Sequence, residues 1–275
     1  MFTLTDLYIY PIKSLGGIRL TEAVVEPRGL RHDRRWLLID AQNRFLTQRT
    51  DARLALLTVA LTPAALTVRH AARPDLGALH VPLAPPTTAP LDVVIWDDTV
   101  RAQPVAAAAD AWFSRALDRP VRLVYMPEST HRAVEESAPP TALVSFADAF
   151  PFLVIGQAAL DDLNTRLRAA GEAAVPMNRF RPSLVFGGGA PHAEDAWGEF
   201  TIGAVGFCRV KPCARCVVTT IDQQTAQASR EPLRTLSTYR REGAKILFGQ
   251  NVIPRGAGVI RVGQVLDAPL PGAAS

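Results

Sequence analysis

A chain of 275 residues, 48% hydrophobic and 20% charged, has the balance of a soluble globular protein with a substantial core, and this excludes disorder as its main content. Its net charge of +4 favours anionic ligands or an acidic partner and is too weak to indicate nucleic acid, which calls for a dense basic patch. The opening MFTLTDLYIYPIKSLGG carries neither a basic leader nor an apolar run of spanning length, so a cytoplasmic protein without a membrane segment is expected.

The first hundred residues predict short strands joined by turns: LTDLYIYPI, IRLTEAVVE, RRWLLID, RFLTQR, LALLTVAL, LTVRH and LDVVIWDD are rich in β-branched, aromatic and leucine residues, with Gly, Pro or Asn as punctuation. PLAPPTTAPL reads as a surface loop, because proline withholds the donor that a sheet ladder needs. ADAWFSRAL predicts a short helix, VRLVYMP a strand, and HRAVEESAPPTA a loop at which a second unit opens. In FPFLVIGQAALDDLNTRLRAAG, Leu160, Leu163 and Leu167 recur at helical spacing and Gly171 marks a stop. RPSLVF, EFTIGAV, GFCRVKP and CVVTTID follow as strands, EPLRTLSTYRR as a helix with Pro232 in its first turn, and GVIRVGQVL as a closing strand. The triple glycine Gly187 to Gly189 follows a strand without dinucleotide-loop spacing and reads as a turn. Irregular alternation of many strands with few helices gives an α+β, mainly β, barrel-like class.

All three cysteines lie in FCRVKPCARCVVTTID, as Cys208, Cys213 and Cys216. Their C-x4-C-x2-C spacing opens a plant-type iron–sulfur loop, but there is no fourth cysteine. No histidine stands at zinc-finger or zinc-ribbon spacing. A redox pair needs its C-x-x-C at a helix start, whereas VVTT reads as strand. Buried structural thiols remain one reading, applied here to Cys208. Another uses a single thiolate on a metal whose other ligands come from an organic cofactor, with Arg209, Lys211 and Arg215 to attract an anionic group.

NRFRPSLVFGG, HAEDAWGEFTIG, VKPCARCVVTTID, EPLRTLSTYR and FGQN resemble the signature segments of the MOSC family, and YPIKSLGG with LRHDRRWLLID is similar to its associated N-terminal β-barrel domain. The likeness runs from Tyr8 to Leu266 and is nearest to the amidoxime-reducing branch, molybdenum-dependent reductases of N-hydroxylated bases. It implies an N-terminal β-barrel domain over 1–120 and a MOSC domain over 121–275. It also implies a molybdenum–molybdopterin cofactor with Cys216 as the metal ligand. Lys13, Ser14, Arg34 and Arg181 match cofactor-contacting positions; Ser183 and Ala214 stand where relatives carry Asn and Ser; Arg215 and Asn251 also fall on site positions. Arg179 has no such match and reads as exposed. Asp148 matches an acidic residue near the metal, where a carboxyl could relay a proton or merely cap a turn. Asp195 and Asp222 read as structural. The activity implied is N–O reduction with oxygen leaving as water, fed by a separate ferredoxin-like, cytochrome b5-like or flavin electron donor. The alternative is a cofactor carrier or sulfur-transfer protein acting through Cys216, without a pyridoxal-phosphate domain to generate the sulfur.

Overall fold

The computed structural model describes residues 1–134 and 142–268. The loop expected over 131–142 lies largely outside the described residues.

Seven strands close a barrel. In chain order they are β1 (Phe2–Ile9), β2 (Phe152–Gly156), β3 (Leu184–Gly187), β4 (Glu199–Ile202), β5 (Val205–Ala214), β6 (Lys245–Pro254) and β7 (Val265–Asp267). Pairing runs β2, β3, β1, β7, β4, β5, β6 and returns to β2; only β2 with β3 is parallel. Closure removes the exposed edges an open sheet would present. The first strand of the chain is therefore an integral stave among strands from the second half.

Alternation alone does not explain β1, because Leu4 and Leu7 are both fully buried although three residues apart, a spacing that puts side chains on opposite faces. The register on β3 slips between Leu4 and Asp6. That bulge adds one residue and turns Leu7 back inward. The barrel interior is filled by Leu4, Leu7, Ile9, Phe152, Phe186 and Phe207 among others. Two further register slips in β5, between Arg209 and Lys211 and between Pro212 and Ala214, bend the strand that leads to Cys216.

The other unit holds a four-stranded sheet, ordered Trp36–Ile39, Arg122–Tyr125, Asp98–Pro104, Leu91–Ile95, and a three-stranded meander, Leu57–Leu61, Ala65–His70, Leu79–Pro82. Helix α1 (Ala107–Leu117) supplies Trp112, Phe113 and Leu117 to its core. On the barrel, α2 (Gln157–Ala169) packs Leu160, Leu163 and Leu167 inward as their spacing requires, and Gly171 takes a φ of 77° after its end. Gly188 and Gly189 turn the chain after β3, at φ 92° and 77°.

Several expected elements differ: GVIRVGQVL splits into Gly258–Arg261 and Val265–Asp267, and IRLTEAVVE into Ile18–Leu20 and Glu22–Glu26, each pair divided between two sheets. RFLTQR forms isolated bridges in place of a strand, because Thr47 starts a turn in which its carbonyl accepts from the Thr50 and Asp51 amides at 3.1 and 3.0 Å. CVVTTID is a 3-10 turn over Val217–Thr220: the Thr219 and Thr220 hydroxyls donate back to the Cys216 and Val217 carbonyls at 3.0 and 2.7 Å, a local bond that competes with a sheet ladder. The helix expected over EPLRTLSTYRR is confined to α3 (Leu233–Leu236), since Arg241–Glu242 is drawn into pairing with the start of β6.

Candidate functional site

The seam between the two units is polar. Gln48 and Gln223 exchange amide hydrogen bonds across it, at 3.1 and 3.0 Å. Beside them Lys13, in the loop after β1, extends a buried ammonium that donates to the Phe146 carbonyl at 2.7 Å and to Asp148 Oδ1 at 2.5 Å. Arg49 is delivered by the Thr47 turn. Its Nη2 donates to Asp148 Oδ2 at 2.9 Å; burial lowers the Arg49 pKa, but Asp148 and the neighbouring Cys216 sulfur raise it above its ordinary value. Lys13, Asp148, Arg49 and Cys216 thus form one chain of contacts assembled from four distant segments.

Charge balance in this chain is set by burial and pairing. Burial alone would raise the Asp148 pKa, but Lys13 and Arg49 overcome it and hold the carboxyl far below the carboxylate range. Burial pushes Lys13 down to about 8, with Asp148 opposing and Arg132 and Arg34 adding to the fall. A carboxyl held this low stays ionised at neutral pH and serves Lys13 and Arg49 as an acceptor.

A second cluster stacks two guanidinium groups on one ring. Arg34 lies 4.3 Å and Arg181 4.2 Å from the Tyr10 ring centroid, an arrangement stabilised by the ring quadrupole. Arg34 is fixed by Asp33 Oδ2 at 2.6 Å and by the Arg181 carbonyl at 3.4 Å, while Asp33 also accepts from the Tyr10 amide at 2.7 Å. Burial, with Arg34 beside it, lowers Arg181 to about 10 against the opposing pull of Tyr10. Gly17 makes room for the ring, since a Cβ there would lie 2.5 Å from Tyr10 Cε1. Ser14, Arg34 and Arg181 all have left-handed backbones, at φ 70°, 49° and 54°. Such conformations cost on the order of 1–3 kcal/mol in a non-glycine residue and persist where surrounding structure enforces them.

The remaining expected positions are spread around this centre. Ser14 Oγ donates to the Leu46 carbonyl at 3.3 Å, and Asn251 Nδ2 to the Pro212 carbonyl at 3.4 Å. Arg215 bonds Cys213 Sγ at 3.0 Å and the Phe180 carbonyl at 2.6 Å, leaving its buried Nε without a protein partner. Ser183 Oγ is buried and likewise orphaned. Ala214 is exposed at the end of β5. Cys216 is partly exposed, and among the described residues no set of three or more His, Cys, Asp or Glu is arranged to hold a metal ion.

A cavity of about 200 Å³ opens beside Asp148, lined by Trp96, Asp98, Arg132, Val144, Phe150 and Lys211 among others.

The model of the MOSC N-terminal beta barrel domain matches residues 1–120, and that of the MOSC domain matches residues 142–267. The chain belongs to the MOSC family. Mitochondrial amidoxime-reducing component 1 of Mus musculus is 35% identical over 95% of this chain and 80% of its own length. Its Homo sapiens counterpart is 34% identical over 95% and 81%. Molybdenum cofactor sulfurase of Solanum lycopersicum is 30% identical over 90% of this chain, which spans 32% of that relative.

In this MOSC protein, Arg209 and Arg215 bond groups other than the Cys216 sulfur. Arg209 donates to the Trp197 carbonyl at 2.5 Å and to Gln250 at 3.4 Å, and Arg215 serves Cys213. The cation at Cys216 is Arg49, 167 positions earlier in the numbering; its only sequence signal was a polar residue closing RFLTQR. Arg179, expected to be exposed, is buried and bonds Asp222 at 2.9 Å and the Thr219 carbonyl at 3.4 Å. It braces the turn that carries Cys216. Asp222 caps that bend through the Gln224 and Thr225 amides, and Asp195 accepts from Arg240 and Gln250, both structural as expected. Cys208 is half-buried against the Val144 and Ile253 cluster.

Proposed function

We propose that the protein is a molybdenum-cofactor-dependent reductase of small N-hydroxylated compounds. The observation that carries this reading is the placement of the partly exposed Cys216 near Arg49, whose guanidinium also bonds Asp148, itself paired with the buried Lys13. One soft sulfur without clustered co-ligands suits a metal that brings the rest of its coordination. The donor set fits the group: molybdopterin ends in a phosphate, for which Arg34 and Arg181 offer planar forks and Lys13 a point charge. Orphaned Ser183 Oγ and Arg215 Nε are buried polar atoms that need an external partner.

When bound, the cofactor supplies two-electron redox chemistry and a place for the substrate oxygen. The overall change consumes two electrons and two protons per N–O bond, releasing water and the reduced nitrogen base. On this chain, Cys216 holds the metal, Arg34 and Arg181 orient the phosphate end, and Arg49 aligns the sulfur with Asp148. Ionised Asp148 keeps Lys13 charged at neutral pH, so that its ammonium is a proton source within the site. The mitochondrial amidoxime-reducing relatives support the reaction class, and a separate redox protein would deliver the electrons.

Molybdenum content and benzamidoxime reduction with a chemical electron donor test the reading, in protein made by cells that produce the cofactor. Expected are about one metal per parent chain with turnover, and loss of both in Cys216→Ala. A loaded parent that leaves benzamidoxime and hydroxylaminopurine untouched would instead favour the carrier or sulfur-transfer role raised by the sulfurase relative.

A further inference from the structure

Trp96 is the one aromatic among the large apolar side chains that the described residues leave exposed, at 42%. It occupies the first position of the two-residue turn between Leu91–Ile95 and Asp98–Pro104, where Asp98 pairs with Ile95, and its φ is 54°. Glycine is the residue favoured for a left-handed first position in so short a hairpin turn. A tryptophan there forfeits both backbone ease and burial of a large ring.

Its surroundings hold the indole still. The Arg49 guanidinium lies 4.6 Å over the ring, Phe45 packs at 4.8 Å in an edge geometry, and Nε1 donates to Asp148 Oδ1 at 3.4 Å. The same indole lines the cavity next to Asp148, together with the Phe150 ring. Two acidic walls are already neutralised, Asp98 by Arg132 at 2.6 Å and Asp148 by Lys13 and Arg49. Beside those pairs and the Asp97 carboxylate, the cavity offers a ligand the aromatic surface of Trp96 and Phe150, and Trp96 itself touches Arg49.

We infer that Trp96 is a specificity-determining platform on which the planar aryl or heteroaryl part of the substrate stacks, selecting aryl over alkyl N-hydroxylated compounds. The inference rests on the reductase reading for the identity of the reacting group, and on cavity geometry for the aromatic preference. Stacking on an indole is sequence-tolerant and geometry-specific, since any flat π-face meets it with the ring quadrupole satisfied. Aliphatic analogues of the same polar head have no such face.

Binding to the cofactor-loaded protein, without an electron donor so that nothing turns over, tests this directly. Titration calorimetry with benzamidoxime and acetamidoxime gives the aryl-over-alkyl affinity ratio for the parent, Trp96→Ala and Trp96→Phe. Expected is a parent ratio well above one that falls about tenfold in Trp96→Ala and is partly restored in Trp96→Phe. In the parent, benzamidoxime should also shift the Trp96 indole N–H resonance, a readout that survives if Trp96→Ala folds poorly. A ratio indifferent to Trp96, an unmoved indole, or a parent that binds neither compound overturns the inference. Trp96-dependent binding without subsequent reduction would refute the reductase reading alone; reduction with a Trp96-independent ratio would refute only the platform.

Discussion

Replacing Asp148 by Asn separates an ionised anchor from a proton donor. The substitution keeps an oxygen acceptor for one cation but removes the charge that Lys13, 6% exposed, faces at 2.5 Å. In the parent, burial has already lowered Lys13 from 10.5 to about 8, so holding it charged costs about 3.4 kcal/mol at about 1.36 kcal/mol per pH unit. Without Asp148 its pKa falls further, and the added cost is capped by the option of losing the proton. That cap is about 1.4 kcal/mol at pH 7, about 2.7 kcal/mol at pH 6, and close to zero by pH 9. Asp148 is 48% exposed on its side chain, so solvent screening holds the Arg49 half of the loss to about 1 kcal/mol or less, with little change over this range. The direction follows from linkage. A lysine with a depressed folded pKa destabilises the fold most below that pKa, and the penalty fades as pH rises from about 8 towards its ordinary value. Urea unfolding of parent and Asp148→Asn at pH 6, 7 and 9 should therefore show a deficit that shrinks as pH rises. A deficit flat across that range, or an Asp148→Asn protein more stable at pH 6, would refute the coupled pair.

With Cys216 as the proposed metal ligand, Arg49→Ala should lower turnover about tenfold while molybdenum per chain changes less than twofold, because the sulfur loses a neighbouring cation but not its bond to the metal; rate and metal content on the same sample decide it. Ser183→Ala removes a buried hydroxyl without a protein partner, so the cofactor-free protein should gain up to about 1 kcal/mol in denaturant unfolding while cofactor occupancy falls. Equal occupancy would mean that Ser183 does not face the cofactor. Glu194 is fully buried and burial pushes its pKa from 4.5 up to about 7, with the Glu194 and Gly156 amides and Arg240 opposing and Asp195 adding to the rise. Its charge therefore costs stability as pH rises through that window. Glu194→Gln should match the parent near pH 4.5 and exceed it by up to about 3 kcal/mol at pH 8, read by chemical unfolding at both values. Stripping the cofactor should lower the melting temperature of the parent and leave that of Cys216→Ala unmoved, since only the former binds it in the folded state.

Local chemistry was enough to mark much of this molecule. The leucine spacing of α2, the glycine turn after β3 and the proline-rich loop are dictated by residues within a few positions of each other, and the ordered motifs around Lys13, Arg34, Arg181 and Cys216 are visible in the linear string. Three dimensions decided the rest, because burial and pairing are properties of segments that meet only on folding. The bulge that seats both Leu4 and Leu7 depends on the register with β3. Thr47, Thr219 and Thr220 bend residues of strand-like composition into turns, and the first of those turns aims Arg49 at Asp148 and Cys216. Arg179 looked like surface charge until Asp222 was found within 2.9 Å. How far the Asp148 pKa falls likewise belongs to no single residue: it follows from the two cations that the fold brings to its carboxylate.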